Sequence, residues 1–141
     1  MLASSLSVFL LLLQRAISPK SKHYQIGKHR KWRWACWVNS GLGMEVEVQG
    51  KLPPKNEGLL IFSNHRSFLD ITVVESVLPA SMLGKAEARE IPVIGYGAEI
   101  ANTIFVKRED PNSRNESFQV ICNFLKKGWS VTVFPEGTTS R

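Results

Sequence analysis

The first forty-four residues contain no aspartate and no glutamate. Seven basic residues, Arg15, Lys20, Lys22, Lys28, Arg30, Lys31 and Arg33, therefore give that segment a charge of +7. Residues 45–141 hold the other eleven Lys/Arg and all twelve acids, which leaves them nearly neutral at −1. The overall +6 belongs to one end of the chain, and such asymmetry points to an anionic surface, lipid or nucleic acid, as that end's partner. Cysteine is scarce as well. Cys36 and Cys122 stand far apart, which excludes a disulfide framework and a zinc site and leaves two ordinary thiols. No cluster with metal-ligand spacing is present, so no metal and no bound cofactor are expected. Internal repeats and low-complexity tracts are absent, and 141 residues at 43% hydrophobic and 21% charged make one ordinary globular domain.

No apolar run reaches the roughly 20 residues of a spanning helix. The longest, residues 1–13, is interrupted by Ser4, Ser5 and Ser7 and ends at Gln14 and Arg15. It has no preceding positive charge and no small-residue cleavage pattern, so it does not read as a signal peptide. A helix that lies in or dips into a membrane fits better. Next comes "KHRKWRWACW", residues 28–37, where Lys and Arg alternate with Trp32, Trp34 and Trp37. Indoles favour the headgroup level of a bilayer, and the cations beside them meet anionic lipid. Aromatics among cations also stack on bases. The apolar start decides for lipid, and no nucleic-acid partner is expected. Residues 1–43 thus read as a membrane-associating helical segment ahead of a domain spanning 44–141.

Within that domain short β-like runs alternate with helical stretches. Residues 44–48 alternate apolar and polar, as a half-exposed strand does. Residues 59–63 form a short apolar run, a buried strand. Ser67 is placed to cap a helix reaching about Leu78, with Asp70 in its first turn and Pro79 closing it. Residues 81–84 are a weaker strand, 85–100 mostly helical, and 103–106 another strand. Ser113 with Glu116 resembles a capping box opening a helix that ends before Gly128. Residues 129–134 complete the series. This alternation predicts an α/β domain with a mostly parallel sheet and flanking helices.

Ligands of such sheets gather beyond the carboxyl ends of the strands. Three predicted strand ends carry polar clusters: Asn64, His65 and Asp70 after 59–63, Lys107 and Arg108 after 103–106, Glu136, Gly137, Thr138 and Arg141 after 129–134. His65 and Asp70 are five apart, about 140° around an ideal helix, so a continuous helix does not pair them. A turn ahead of a helix capped at Ser67 brings His65 back onto Asp70. The carboxylate then fixes the imidazole tautomer, and the other nitrogen takes a proton from a substrate hydroxyl. Read singly, Asp70 is equally a favourable charge at a helix N-terminus and His65 a structural residue. No Ser or Cys forms a nucleophile elbow, so a covalent mechanism has little support.

"NHRSFLD" resembles the N-H-x-x-x-x-D signature of the glycerolipid acyltransferases. "IFVKR", residues 104–108, is similar to their second motif and "FPEGTTSR", residues 134–141, to their third. The branch most resembled is the 1-acylglycerol-3-phosphate (lysophosphatidate) acyltransferases. The resemblance implies transfer of a fatty acyl group from acyl-CoA or acyl carrier protein to the free hydroxyl of a lysophospholipid, giving phosphatidate. His65 is then the general base and Asp70 its orienting partner. Arg108 holds the acceptor's phosphate, as a guanidinium suits phosphate oxygens, and Glu136, Gly137 and Thr138 shape the acceptor site. Thr139 stands where the family's third motif commonly has arginine, which shifts phosphate binding toward Arg108 and Arg141. The family also continues past this motif, so the chain resembles a C-terminally truncated member, expected to be weakly stable or weakly active alone. The alternatives are the same chemistry on another lysophospholipid or an acylated amino-acid lipid, and a catalytically silent membrane-binding module.

Overall fold

The computed structural model describes residues 9, 13, 23–54, 57–92 and 94–136. The apolar run at 1–13, apart from Phe9 and Leu13, and the site candidates Gly137, Thr138 and Arg141 lie outside the described residues.

Four strands form one parallel sheet: β1 Leu60–Phe62, β2 Ser81–Lys85, β3 Ile104–Val106 and β4 Val131–Val133, in the order β1-β4-β2-β3. Leu60 pairs with Val131, Ser81 with Val131 and Leu83 with Ile104. β1, β3 and β4 are short, mostly apolar runs, as parallel strands tend to be, whereas β2 begins at Ser81 and ends at Lys85. The buried centre is small: Ala80, Met82, Ile104, Val106 and Val131, with Ser81, Ser130 and Thr132 among them.

The helices are α1 His23–Gly41, α2 Leu69–Val77, α3 Ile94–Ile100 and α4 Pro111–Lys126, with a 3-10 turn at Ala86–Glu90 between β2 and α3. The stretch 85–100, expected as mostly helical, is thus two short pieces, broken at Ile91 and Pro92 where the backbone turns extended. Residues 44–48 form no strand. Their alternation marks a half-exposed surface, with Met44 and Val46 half-buried and Glu45 and Glu47 exposed, but a strand also needs a ladder partner and β1 pairs with β4 instead.

The cap of α4 is Asp110, whose side chain accepts the Asn112 N–H at 2.9 Å, and Pro111 takes the first helical position. That placement suits proline, whose missing N–H is unpaired there anyway. Ser113, expected as the cap, lies one turn inside, and its hydroxyl accepts the Lys107 N–H at 3.0 Å. Gly128 closes the helix at φ +72°, a conformation glycine adopts without cost.

The basic, tryptophan-rich stretch 28–37 lies within α1, which packs on α2. Tyr24 stacks on Trp129 with centroids 4.0 Å apart and 4° between planes, and Phe124 meets both rings edge-on. Burial pushes the Tyr24 hydroxyl up to about 12. Lys31 turns inward to Glu75, whereas Trp37 and Leu42 remain largely exposed. Among the described residues no helix is long and apolar enough to cross a membrane.

Candidate active site

β1 and β4 are neighbours, about 4.8 Å apart, so the loops that leave the two strands meet at one point of the rim. The ladder continues one step past the strands through Ser63 N–H and the Val133 carbonyl at 3.2 Å. His65 comes three residues after Phe62, and Glu136 three after Val133. The Glu136 carboxylate accepts the His65 backbone N–H at 2.9 Å. The imidazole stacks on the Phe134 ring with centroids 4.4 Å apart and 27° between planes.

The turn 65–68 then folds back on the start of α2. Asp70 Oδ2 lies 3.3 Å from His65 Nδ1 and accepts the backbone N–H groups of Arg66 at 2.6 Å and Ser67 at 2.7 Å. Ser67 is not the formal cap, because helical geometry begins after Phe68, but its hydroxyl accepts the Leu69 N–H at 3.2 Å. Asp70 thus ties down the donors that a helix start leaves unpaired while holding the histidine. Partial burial pushes its carboxyl up, but the Ser67 and Arg66 N–H donors and the His65 ring outweigh it and hold the group below the ordinary carboxylate value. The side chains of His65 and Asp70 retain 15% and 28% of their exposure, so the pair is sheltered yet reachable.

Three of the candidates, His65, Asp70 and Glu136, therefore form one cluster. Arg108 is on the same rim, at the end of a strand that does not neighbour β1 or β4. It stands two residues past β3, which β2 separates from β4, about 10 Å away at normal strand spacing. A cavity of about 430 Å³ opens beside Lys107, lined also by Glu87, Arg89, Glu90, Asp110 and Glu116. Among the described residues no group of His, Cys, Asp and Glu is placed to hold a metal ion.

Sequence reasoning missed Phe134 as the floor under the imidazole and Glu136 as a clamp on the His65 backbone. A usable signal existed: both lie just past a strand end, Phe134 level with Ser63 and Glu136 level with His65 in the parallel register.

Residues 45–141 match the family model described as Acyltransferase. The chain is 33% identical over 103 residues to the 1-acyl-sn-glycerol-3-phosphate acyltransferase of Neisseria meningitidis serogroup B, covering 73% of this chain and 40% of that protein. It is 36% identical over 110 residues to the lyso-ornithine lipid O-acyltransferase of Pseudomonas aeruginosa, covering 78% and 41%. The crystal structure of the 1-acyl-sn-glycerophosphate acyltransferase PlsC from Thermotoga maritima shares the fold, with a TM-score of 0.75 at 21% identity over 99% of this chain and 61% of that one. The chain spans about 40% of the length of the curated relatives it matches.

Proposed function

This chain belongs to the acyltransferase family, and on that premise we propose that it carries the acid–base site for moving a fatty acyl group from a thioester to the free hydroxyl of 1-acylglycerol 3-phosphate. The observation that carries the reading is the 3.3 Å approach of His65 Nδ1 to an Asp70 carboxylate already fixed by two backbone N–H donors. Nδ1–H donates to Asp70, and Nε2 takes the proton of the acceptor hydroxyl as its oxygen attacks the thioester carbonyl. The tetrahedral adduct collapses with cleavage of the carbon–sulfur bond, and the imidazolium returns the proton to the departing thiolate. The products are the new ester and a thiol, with every proton accounted for and the histidine restored. Asp70 stays ionised and stabilises the imidazolium. The donor is acyl-CoA or acyl carrier protein, and the step uses no further cofactor.

In this reading Arg108 holds the acceptor phosphate at the β3 end of the rim, with Gly137, Thr138 and Arg141 completing the acceptor site from the loop after β4. Exposed Trp37 on α1 and Leu42 just past its end, beside the basic residues of the segment, support work at a lipid surface.

One observation favours a second acceptor. The cavity beside Lys107 is lined by four carboxylates against two cations, a balance better suited to a headgroup bearing an amine than to a phosphate alone. Lyso-ornithine lipid, the acceptor in the name of the Pseudomonas relative, is such a molecule. The test is transfer from acyl-CoA in detergent micelles to lysophosphatidate and to lyso-ornithine lipid in parallel. Faster transfer to lysophosphatidate supports the first acceptor, faster transfer to the ornithine lipid the second, and transfer to neither refutes both.

A further inference from the structure

The contact between α1 and α2 is polar where paired helices are ordinarily apolar. Glu75 is fully buried, and the side chain of Lys31 keeps 11% of its exposure. The ammonium lies 3.0 Å from Glu75 Oε1 and donates to the Ala80 carbonyl. Glu75 Oε2 accepts the Ala80 N–H at 3.3 Å. One ion pair thereby holds both backbone groups of the residue that leads into β2. Two further contacts run along the same seam. Trp32 Nε1 donates to the Ser76 carbonyl at 3.0 Å. Asn39 Nδ2 donates to the Thr72 carbonyl at 3.2 Å and the Ser76 hydroxyl at 3.1 Å.

A buried ion pair is seldom the most stabilising way to fill such space, because apolar side chains of similar volume hold a fold as well or better. What it supplies, and apolar contact does not, is direction: hydrogen bonds fix where along its axis a helix sits and how it is turned. α2 has only nine residues and no side-chain cap at Phe68. Asp70 occupies its first turn and Glu75 its second, about 7 Å apart along the axis. The Asp70 end binds the turn 65–67, which Glu136 and Phe134 hold to the β4 side of the rim independently of α2. The Glu75 end is tied to α1 and to the sheet.

We propose that the Lys31–Glu75 pair is a positioning device that sets the place of α2 and thereby holds Asp70 Oδ2 within hydrogen-bond reach of His65 Nδ1. Its catalytic consequence rests on the acyltransferase reading above; its geometric consequence does not. Displacements of this kind, remote from the reacting atoms, cost up to about 100-fold in rate.

The test measures three things on the full chain in detergent micelles: melting temperature, kcat and KM for acyl transfer, and the nitrogen-15 resonance of His65 Nδ1 referenced to that of Asp70→Asn. In Lys31→Met/Glu75→Leu the melting temperature stays within about 3 °C of the parent, because the apolar pair fills the seam. There kcat falls about 10–100-fold with KM little changed, and the His65 signal moves toward that of Asp70→Asn. Lys31→Arg, which keeps the cation, recovers both toward the parent. A folded double variant with parental kcat and parental His65 signal overturns the proposal. Should the double variant fail to fold, Glu75→Gln decides, because it keeps the shape and the Ala80 contact while removing the charge. The same two changes are expected there, and their absence overturns the proposal. A moved His65 signal in a chain that transfers no acyl group upholds the positioning role and refutes the acyltransferase reading. Transfer with neither signal nor kcat altered does the reverse.

Discussion

His65 Nδ1 and Asp70 Oδ2 lie 3.3 Å apart although they stand five positions apart in the sequence, because the chain between them is a turn and not a helix. The turn is held by Asp70 itself, through the Arg66 and Ser67 N–H groups. One carboxylate thus builds the local backbone and orients the imidazole. Replacing it disturbs both, and the two effects separate by pH.

The depressed carboxyl of Asp70 makes a prediction about acid stability. A group whose folded pKa lies below its unfolded value of about 3.9 adds stability that is fully present above that value. The contribution is lost as pH falls through the lower folded value. Asp70→Asn is therefore less stable than the parent at neutral pH, and the difference narrows below about pH 4. Urea midpoints of both proteins from pH 7 to pH 2.5 check this; a gap that stays constant across that range contradicts it.

Glu136 acts on the backbone of His65, so its acceptor atom matters more than its charge. Glu136→Gln still offers an amide oxygen to the His65 N–H and is expected to keep most of the transfer rate. Glu136→Ala removes the acceptor, and the rate is expected to drop about tenfold. Because the bond is solvent-exposed, stability changes by about 1 kcal/mol or less. Rates and melting temperatures of the two variants measured side by side decide it; equal losses in both would show that charge, not the clamp, is what counts.

Gly95 packs against the 3-10 turn so closely that an added Cβ would clash with the Arg89 carbonyl group. The obstacle is backbone and cannot rotate away. Gly95→Ala is expected to destabilise by about 1–3 kcal/mol, despite alanine's better helix propensity. Since that turn also lines the cavity beside Lys107, KM for the acceptor should rise with it. A melting temperature equal to the parent's would show that the two pieces part without cost.

Much of this arrangement is legible in the sequence. β1, β3 and β4 are mostly apolar runs punctuated by Gly, Pro and Ser, and a parallel sheet then places His65 and Glu136 on one rim. Arg108 is legible only as far as the rim, since strand order is not encoded locally: β4 inserts between β1 and β2, which separates β3 from the histidine. The start of α4 is misread because Ser113 and Glu116 imitate a capping box, while Asp110–Pro111 is the stronger signal. Residues 44–48 show the period of a strand, but that period reports a half-exposed surface whether or not a partner strand exists. Lys31 is hidden most completely. Cations and indoles surround the helix from 28 to 37, so no pattern distinguishes the lysine that meets Glu75 from its neighbours that face outward.

The most direct measurement compares acyl transfer by the parent chain and His65→Ala, from acyl-CoA to lysophosphatidate and lyso-ornithine lipid in micelles, with both proteins shown to melt alike. If His65 is the base, the variant loses about 10²–10⁴-fold in kcat with KM largely retained. Transfer by His65→Ala within about threefold of the parent, well short of that loss, would contradict it.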